Sequence, residues 1–420
     1  MSLVVCLAFI CQRCTAYSFL THETIIDLAW ESAIKPVLLS QYPNTTPGEL
    51  RLAHAYAYGG STIQDAGYYP FGHEMFSDLT HYVRTGDFVT FLIQDSRNVN
   101  ELAFALGALS HYLGDTIGHE DAINPSTAIE FPDLAKKYGP IVTYDESPHG
   151  HVRTEFAFDV AELSREHFAP SRYLGSVGLL VSRRVLEQAF FQTYGLRLHD
   201  ILGNESAAFR SYQSSVRRLL PKFAYAEVLL HRKSFPAPAT TPAALEFEKR
   251  LSQADQENGW YKFRRKKASF TTKLVAGVIV IVPKIGPLSD LAIRGPRGDT
   301  DLKYVASVNR CVDEYVRLLA ELAQKGQKEF QVANLDLDTG YEIRPGTYKL
   351  TDETYAKLLD QLTRTNPYRR TPMELKQNVL AFYADPNAPI ETKKHRRAWQ
   401  KVQKDLALLS ADGVDAGKSK

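Results

Sequence analysis

Eight of the twelve histidines, His22, His54, His73, His81, His111, His119, His149 and His151, fall within residues 22–151, interleaved with Asp and Glu. Imidazoles mixed with carboxylates are the donor set of a metal centre. The densest stretch is His111-Tyr112-Leu113-Gly114-Asp115-Thr116-Ile117-Gly118-His119, which follows the apolar run Leu102–Leu109. On a helix, positions four apart stand on one face, so His111, Asp115 and His119 form a column. At ~1.5 Å rise per residue the two histidines lie roughly 12 Å apart along the axis, too far to share one ion through bonds of about 2 Å. The spacing therefore predicts more than one metal, with the two oxygens of Asp115 free to bridge neighbouring ions. His151 and Glu155 make a further pair four apart, and His119 is the natural third ligand beside them. One such pair alone is an ordinary solvated helix face. Three pairs within residues 111–155, two of them sharing Asp115, are not.

The order His22, Asp65, His81, His111-x3-Asp115, His119, His151-x3-Glu155 resembles the zinc-dependent phospholipase C family, whose fold is shared with zinc-dependent single-strand nucleases. The resemblance covers about residues 17–160 and extends as a helical scaffold toward 235. It implies a trinuclear Zn2+ site. One zinc falls to Asp65, His81, His111 and Asp115, a second to the Tyr17 backbone, His22 and Asp115, and the third to His119, His151 and Glu155. Asp65 is in addition the general base that the family implies. His81 is preferred to His73 on spacing. The interval from Asp115 to His119 is shorter than in the bacterial phospholipases and similar to that of the phosphatidylinositol-glycan-specific branch. Such a cluster lowers the pKa of a metal-bound water, making hydroxide available near neutral pH, while the remaining charge is set against a phosphoryl group in an in-line displacement.

His54, His73 and His149 remain either groups that orient the ligands or ordinary core and surface residues. Tyr56, Tyr58, Tyr68, Tyr69, Phe71 and Phe76 crowd the neighbourhood of Asp65 and His81, and either wall an apolar substrate cleft or pack the core. No Gly-x-Ser-x-Gly elbow and no phosphate-binding glycine loop of the Walker type occurs, and Cys311 lies far from the histidines.

The elements that must hold these residues are helices. Apolar positions recur at helical spacing over 98–113, 205–230 and 300–325, and period-two runs are scarce. Thr46-Pro47-Gly48-Glu49 and Thr371-Pro372-Met373-Glu374 each set a hydroxyl, a first-turn proline and a carboxylate in helix-opening register. The fold class read from this is all-α, with a small hairpin or extended arm at Tyr341–Leu350 around Pro345-Gly346. Residues 17–235 form the catalytic domain, residues 236–420 a mostly helical C-terminal extension, and the Pro/Ala/Thr stretch Phe235–Pro242 the connection.

Met1–Ala16 has the apolar run Leu3–Ile10, then Gln12 and Arg13, then small residues at its last and third-last positions, and reads as a signal peptide cut before Tyr17. The protein is accordingly expected to be secreted or periplasmic. Cleavage removes Cys6, Cys11 and Cys14 and leaves Cys311 alone, which excludes internal disulfides. Fifty basic against 48 acidic residues give a net charge of +2, so no global field favours nucleic acid or an anionic membrane. A local one exists at Lys262-Phe263-Arg264-Arg265-Lys266-Lys267, followed by the apolar run Leu274–Val282 and Pro283. It is a membrane-surface contact, a nucleic-acid grip, or a solvated loop before a buried helix. The leading expectation is hydrolysis of a phospholipid or glycan-phospholipid phosphodiester, with the phospholipid and its membrane surface as partner. The alternatives are a single-strand nuclease with the same site, its partner a nucleic acid, and a metal-binding protein without turnover.

Overall fold

The computed structural model describes residues 18–231, 240–264, 295–364 and 371–411. The expected signal peptide, Tyr17, most of the connection at 235–242, Arg265–Lys267 and the apolar run Leu274–Val282 lie outside the described residues. Among the described residues the chain is helical with no strand, as the periodicity predicts. One antiparallel bridge joins Leu335 and Glu342.

The site is framed by α1 (Phe19–Ala29), α2 (Pro47–Gly60), α3 (Glu74–Tyr82), α4 (Val99–Gly118), α5 (Pro148–Ser164), α6 (Gly298–Lys325) and α7 (Lys349–Arg364). Helix α4 is the axis of the fold. Asn98 caps it, its Oδ1 accepting from the backbone N–H groups of Asn100 and Glu101. All its residues except Asn100 are buried, because apolar side chains occupy its whole circumference. Helix α2 opens on the expected capping box of Thr46 and Glu49 and meets α4 backbone to backbone. A Cβ on Gly60 would stand 2.0 Å from the Phe104 carbonyl oxygen, and one on Gly107 would stand 2.1 Å from that of Ala57. Only glycine permits that approach. The apolar stripe of α6, including Val305, Val308, Val312, Leu319 and Leu322, is buried, and its Tyr315 hydroxyl donates to the Leu106 carbonyl of α4 at 2.8 Å.

Periodicity over 205–230 is realised as Glu205–Ser214, a π-helical turn Ser215–Leu219, and Leu220–His231. At Thr371-Pro372 a helix does open, at Met373, but Pro372 takes the N-cap position and no side-chain cap forms. The turn at Pro345-Gly346 is present, with Gly346 at φ +79°. The pairing lies one reversal earlier, where Asp336 N–H donates to Tyr341 O at 2.7 Å and Ile343 N–H to Asn334 O at 3.2 Å. From Lys349 the chain is already helix α7.

Candidate metal centre

Each donor is placed by a different local device. His22 lies in the first turns of α1, where Asp159 of α5 accepts from the Leu20 N–H at 3.0 Å and the Thr21 hydroxyl at 2.6 Å. Asp65 sits on the 3-10 turn Gln64–Tyr68, tied to α4 by the Gln64 amide donating to Ala108 O at 3.0 Å. His81 ends α3, and His111 and Asp115 stand one turn apart on α4. His119 begins the π-helical turn His119–Ile123 that continues α4, and His151 and Glu155 lie one turn apart on α5.

These residues fall into three groups: His22, His111 and Asp115; Asp65, His81 and His111; and His119, His151 and Glu155. The helix column therefore divides as its length requires, with His111 and His119 in different groups. Asp115 Oδ1 lies 3.3 Å from His22 Nε2. Its Oδ2 lies 3.3 Å from His81 Nε2 and 3.2 Å from His111 Nε2. Asp65 Oδ1 stands 3.4 Å from His81 Nε2 and 3.9 Å from His111 Nε2, and the two imidazole Nε2 atoms face each other at 3.5 Å. In the third group His119 Nε2 is 4.0 Å from Glu155 Oε1, while His151 Nδ1 lies 2.7 Å from that same oxygen.

Backbone carbonyls fix which nitrogen each ring presents. His81 Nδ1 donates to Ser77 O at 2.7 Å, His111 Nδ1 to Ser61 O at 3.0 Å, and His119 Nδ1 to Leu337 O at 2.6 Å. A carbonyl only accepts, so Nδ1 carries a proton and Nε2 is the nitrogen turned inward. Burial opposes charge throughout the site, and the mutual attraction of its groups overrides burial at several positions. At His81 and His111 the carboxylates of Asp115 and Asp65 raise the pKa, at His81 well above the ordinary range. Asp115 is driven well below its usual value by His111, His22 and His81, and Asp65 is lowered by His111 and His81. In the third group burial prevails: it lowers His151 far, reinforced by His119, and raises Glu155 far, reinforced by Asp115 and Asp65.

Residues 21–203 match the family model described as zinc dependent phospholipase C. That segment is similar to zinc-dependent phospholipase C. No curated protein and no solved structure matches the chain. Zinc is the metal this family implies, and the donors fit it. A tetrahedron with zinc–ligand bonds of about 2.0–2.1 Å has edges of about 3.3–3.4 Å. Four separations among Asp65, His81, His111 and Asp115, at 3.2, 3.3, 3.4 and 3.5 Å, are near edges of that kind, and that from His111 Nε2 to Asp65 Oδ1 is longer at 3.9 Å. Both Asp115 oxygens, His119 Nε2 and Glu155 Oε2 are buried and make no hydrogen bond among the described residues. Such atoms are costly to bury unless something else binds them.

Of the other histidines in the matched segment, His54 and His73 have structural work. His54 Nε2 is 2.8 Å from Asp27 and its ring stacks on Trp30, and His73 Nδ1 accepts from the Met75 N–H at the start of α3. His149 is exposed at the surface, its pKa lowered by partial desolvation and by Arg153. Of the clustered aromatics, Tyr58, Tyr69 and Phe76 are core, and Phe71 is exposed. Tyr68 lies against the site, 5.8 Å from the His81 ring.

Sequence reasoning missed what residues 334–348 bring. Leu337 N–H donates to His81 O at 3.1 Å, while its carbonyl is the acceptor for His119. Asn124 Nδ2 donates to Asp338 O and its Oδ1 lies 2.8 Å from His151 Nε2. Asp338 is fully buried, with Tyr82 and Tyr348 hydroxyls donating to Oδ2 at 2.9 and 2.7 Å. The only signal was Asp336-Leu337-Asp338-Thr339-Gly340, which has the composition of any solvated turn.

Proposed function

We propose that the chain hydrolyses the phosphodiester of a phospholipid or glycan-phospholipid at a centre of three zinc ions. One zinc falls to Asp65, His81, His111 and Asp115, a second to His22, Asp115 and the backbone of residue 17, and the third to His119, His151 and Glu155. The observation that carries this reading is the convergence of four donors at zinc-like spacing in a buried site. Among those four, Asp65 alone has measurable side-chain exposure, 10% against 0% for the others. Zinc bound there supplies charge to set against a phosphoryl group and makes water more acidic. The chain's own residues do the positioning. Ser77, Ser61 and Leu337 carbonyls orient three imidazoles, and in this reading Asp65, at the solvent edge, takes the proton of an attacking water.

The domain's family points to phospholipid as the substrate class. Residue 17 as the mature N-terminus and export of the protein belong to the same proposal. Their support is the sequence of residues 1–16, an apolar run followed by small residues at its last and third-last positions.

The deciding experiment joins metal analysis of the purified chain to a panel assay on phosphatidylcholine, phosphatidylinositol and single-stranded DNA. About three zinc ions per chain, one for each donor group, and release of a phosphorylated head group are expected. Turnover of DNA alone would move the assignment to a nuclease. Bound zinc without turnover on any of the three substrates would make the chain a metal-holding protein.

A further inference from the structure

The segment that matches the family ends at residue 203, yet the third donor group is closed by residues far beyond it. Leu337 O accepts from His119, and Asp338 O accepts from Asn124, whose side chain in turn faces His151. Between these two backbone contacts the Asp338 side chain points into the protein, and its burial is complete. Tyr82 and Tyr348 occupy Oδ2, whereas Oδ1 is buried and makes no hydrogen bond among the described residues. Asp338 is one of the acidic neighbours that burden Glu155.

A fully buried carboxylate in this setting demands a counter-charge. Three divalent ions bring twice their number in positive charge, against which the donor groups offer Asp65, Asp115 and Glu155. The third group is the poorest, because two neutral imidazoles and one carboxylate leave a buried divalent ion half balanced. We propose that Asp338 is a positioning and charge-balancing residue of this third group: braced by Tyr82 and Tyr348, it offsets the cation beside His119, His151 and Glu155, while its own loop orients both imidazoles. This rests on the metal-centre reading above and adds to it a residue from outside the matched domain.

The charge argument separates this role from a purely structural one. Without metal, Asp338 faces other acids, so Asp338→Asn relieves repulsion and keeps an acceptor for the tyrosines. With metal, the same change removes a balancing charge. Zinc titration of the full-length apo chain against a competing chromophoric chelator, paired with thermal melting of the apo protein, reads both. Asp338→Asn is expected to weaken one zinc step at least tenfold, leave the other steps within about twofold, and not lower the apo melting temperature. Tyr348→Phe, which keeps the carboxylate and loosens its brace, is expected to weaken the same step by a smaller factor. Unchanged zinc binding in Asp338→Asn overturns the proposal. So does a lowered apo melting temperature or failure to recover folded apo protein, either of which makes Asp338 structural. A wild-type chain that takes up no zinc brings down the metal-centre reading first, and this inference with it.

Discussion

Asp115 is where two donor groups meet, since Oδ1 faces His22 and Oδ2 faces His81 and His111. No histidine of the site is placed to speak to both through two separate atoms. Asp115→Ala should therefore lose two zinc ions per chain where His22→Ala loses one, read as zinc content after gel filtration. Full zinc content in Asp115→Ala would remove the bridging role. This part of the centre was legible in the sequence because an α-helix fixes the direction of residues four apart. His111, Asp115 and His119 were bound to share a face, and the length of that face set His111 and His119 in different donor groups. Asp338 was not legible. Its role depends on which side of a turn is covered, and a turn rich in Asp, Thr and Gly has the same composition whether it faces solvent or a buried histidine.

Helices α2 and α4 touch through glycine, and the site hangs on that contact. Gly107 lies one turn before His111, and Ser61, whose carbonyl orients His111, directly follows Gly60 at the end of α2. A methyl at residue 107 meets backbone rather than a yielding side chain, so the helices must part. Gly107→Ala is expected to cost about 1–3 kcal/mol or more and to loosen zinc binding at His111, seen as a lower melting temperature with faster zinc loss to a chelator. A variant with wild-type melting and zinc retention would show that the contact gives way at no cost. Helix existence was legible throughout, since α4 and α6 carry their periodicity openly, and Thr46 with Glu49 marks the start of α2. The start at Met373 was legible as a start but not in its chemistry, because the backbone enters from Pro372 and no side chain caps it. Close approach at Gly60 and Gly107 was invisible, since a glycine in a helix reads only as a weak helix former until its neighbour is known.

At the scale of the whole molecule, the late third of the chain is built into the early third. Tyr315 bonds to Leu106, Tyr112 donates to Ala333 O at 2.8 Å, and Thr85 donates to Leu335 O at 2.6 Å. Unfolding and metal release of the loaded protein should therefore be one transition. A ligand held only by the folded state adds about 2.7 kcal/mol at a hundred times its dissociation constant. Stripping zinc should accordingly lower the melting temperature of the entire chain in a single cooperative step. A separate early transition confined to residues near the metal, followed by an unchanged main melt, would argue for two independent bodies. The bond from Leu337 to His119 also sets a clock on biogenesis. A growing polypeptide exposes the His and carboxylate ligands long before it delivers residue 337, an interval on the order of ten to forty seconds at roughly 5–20 residues per second. Until then His119 has no carbonyl to hold its ring, and the third donor group stays unfinished on the ribosome, closed only when residue 337 arrives.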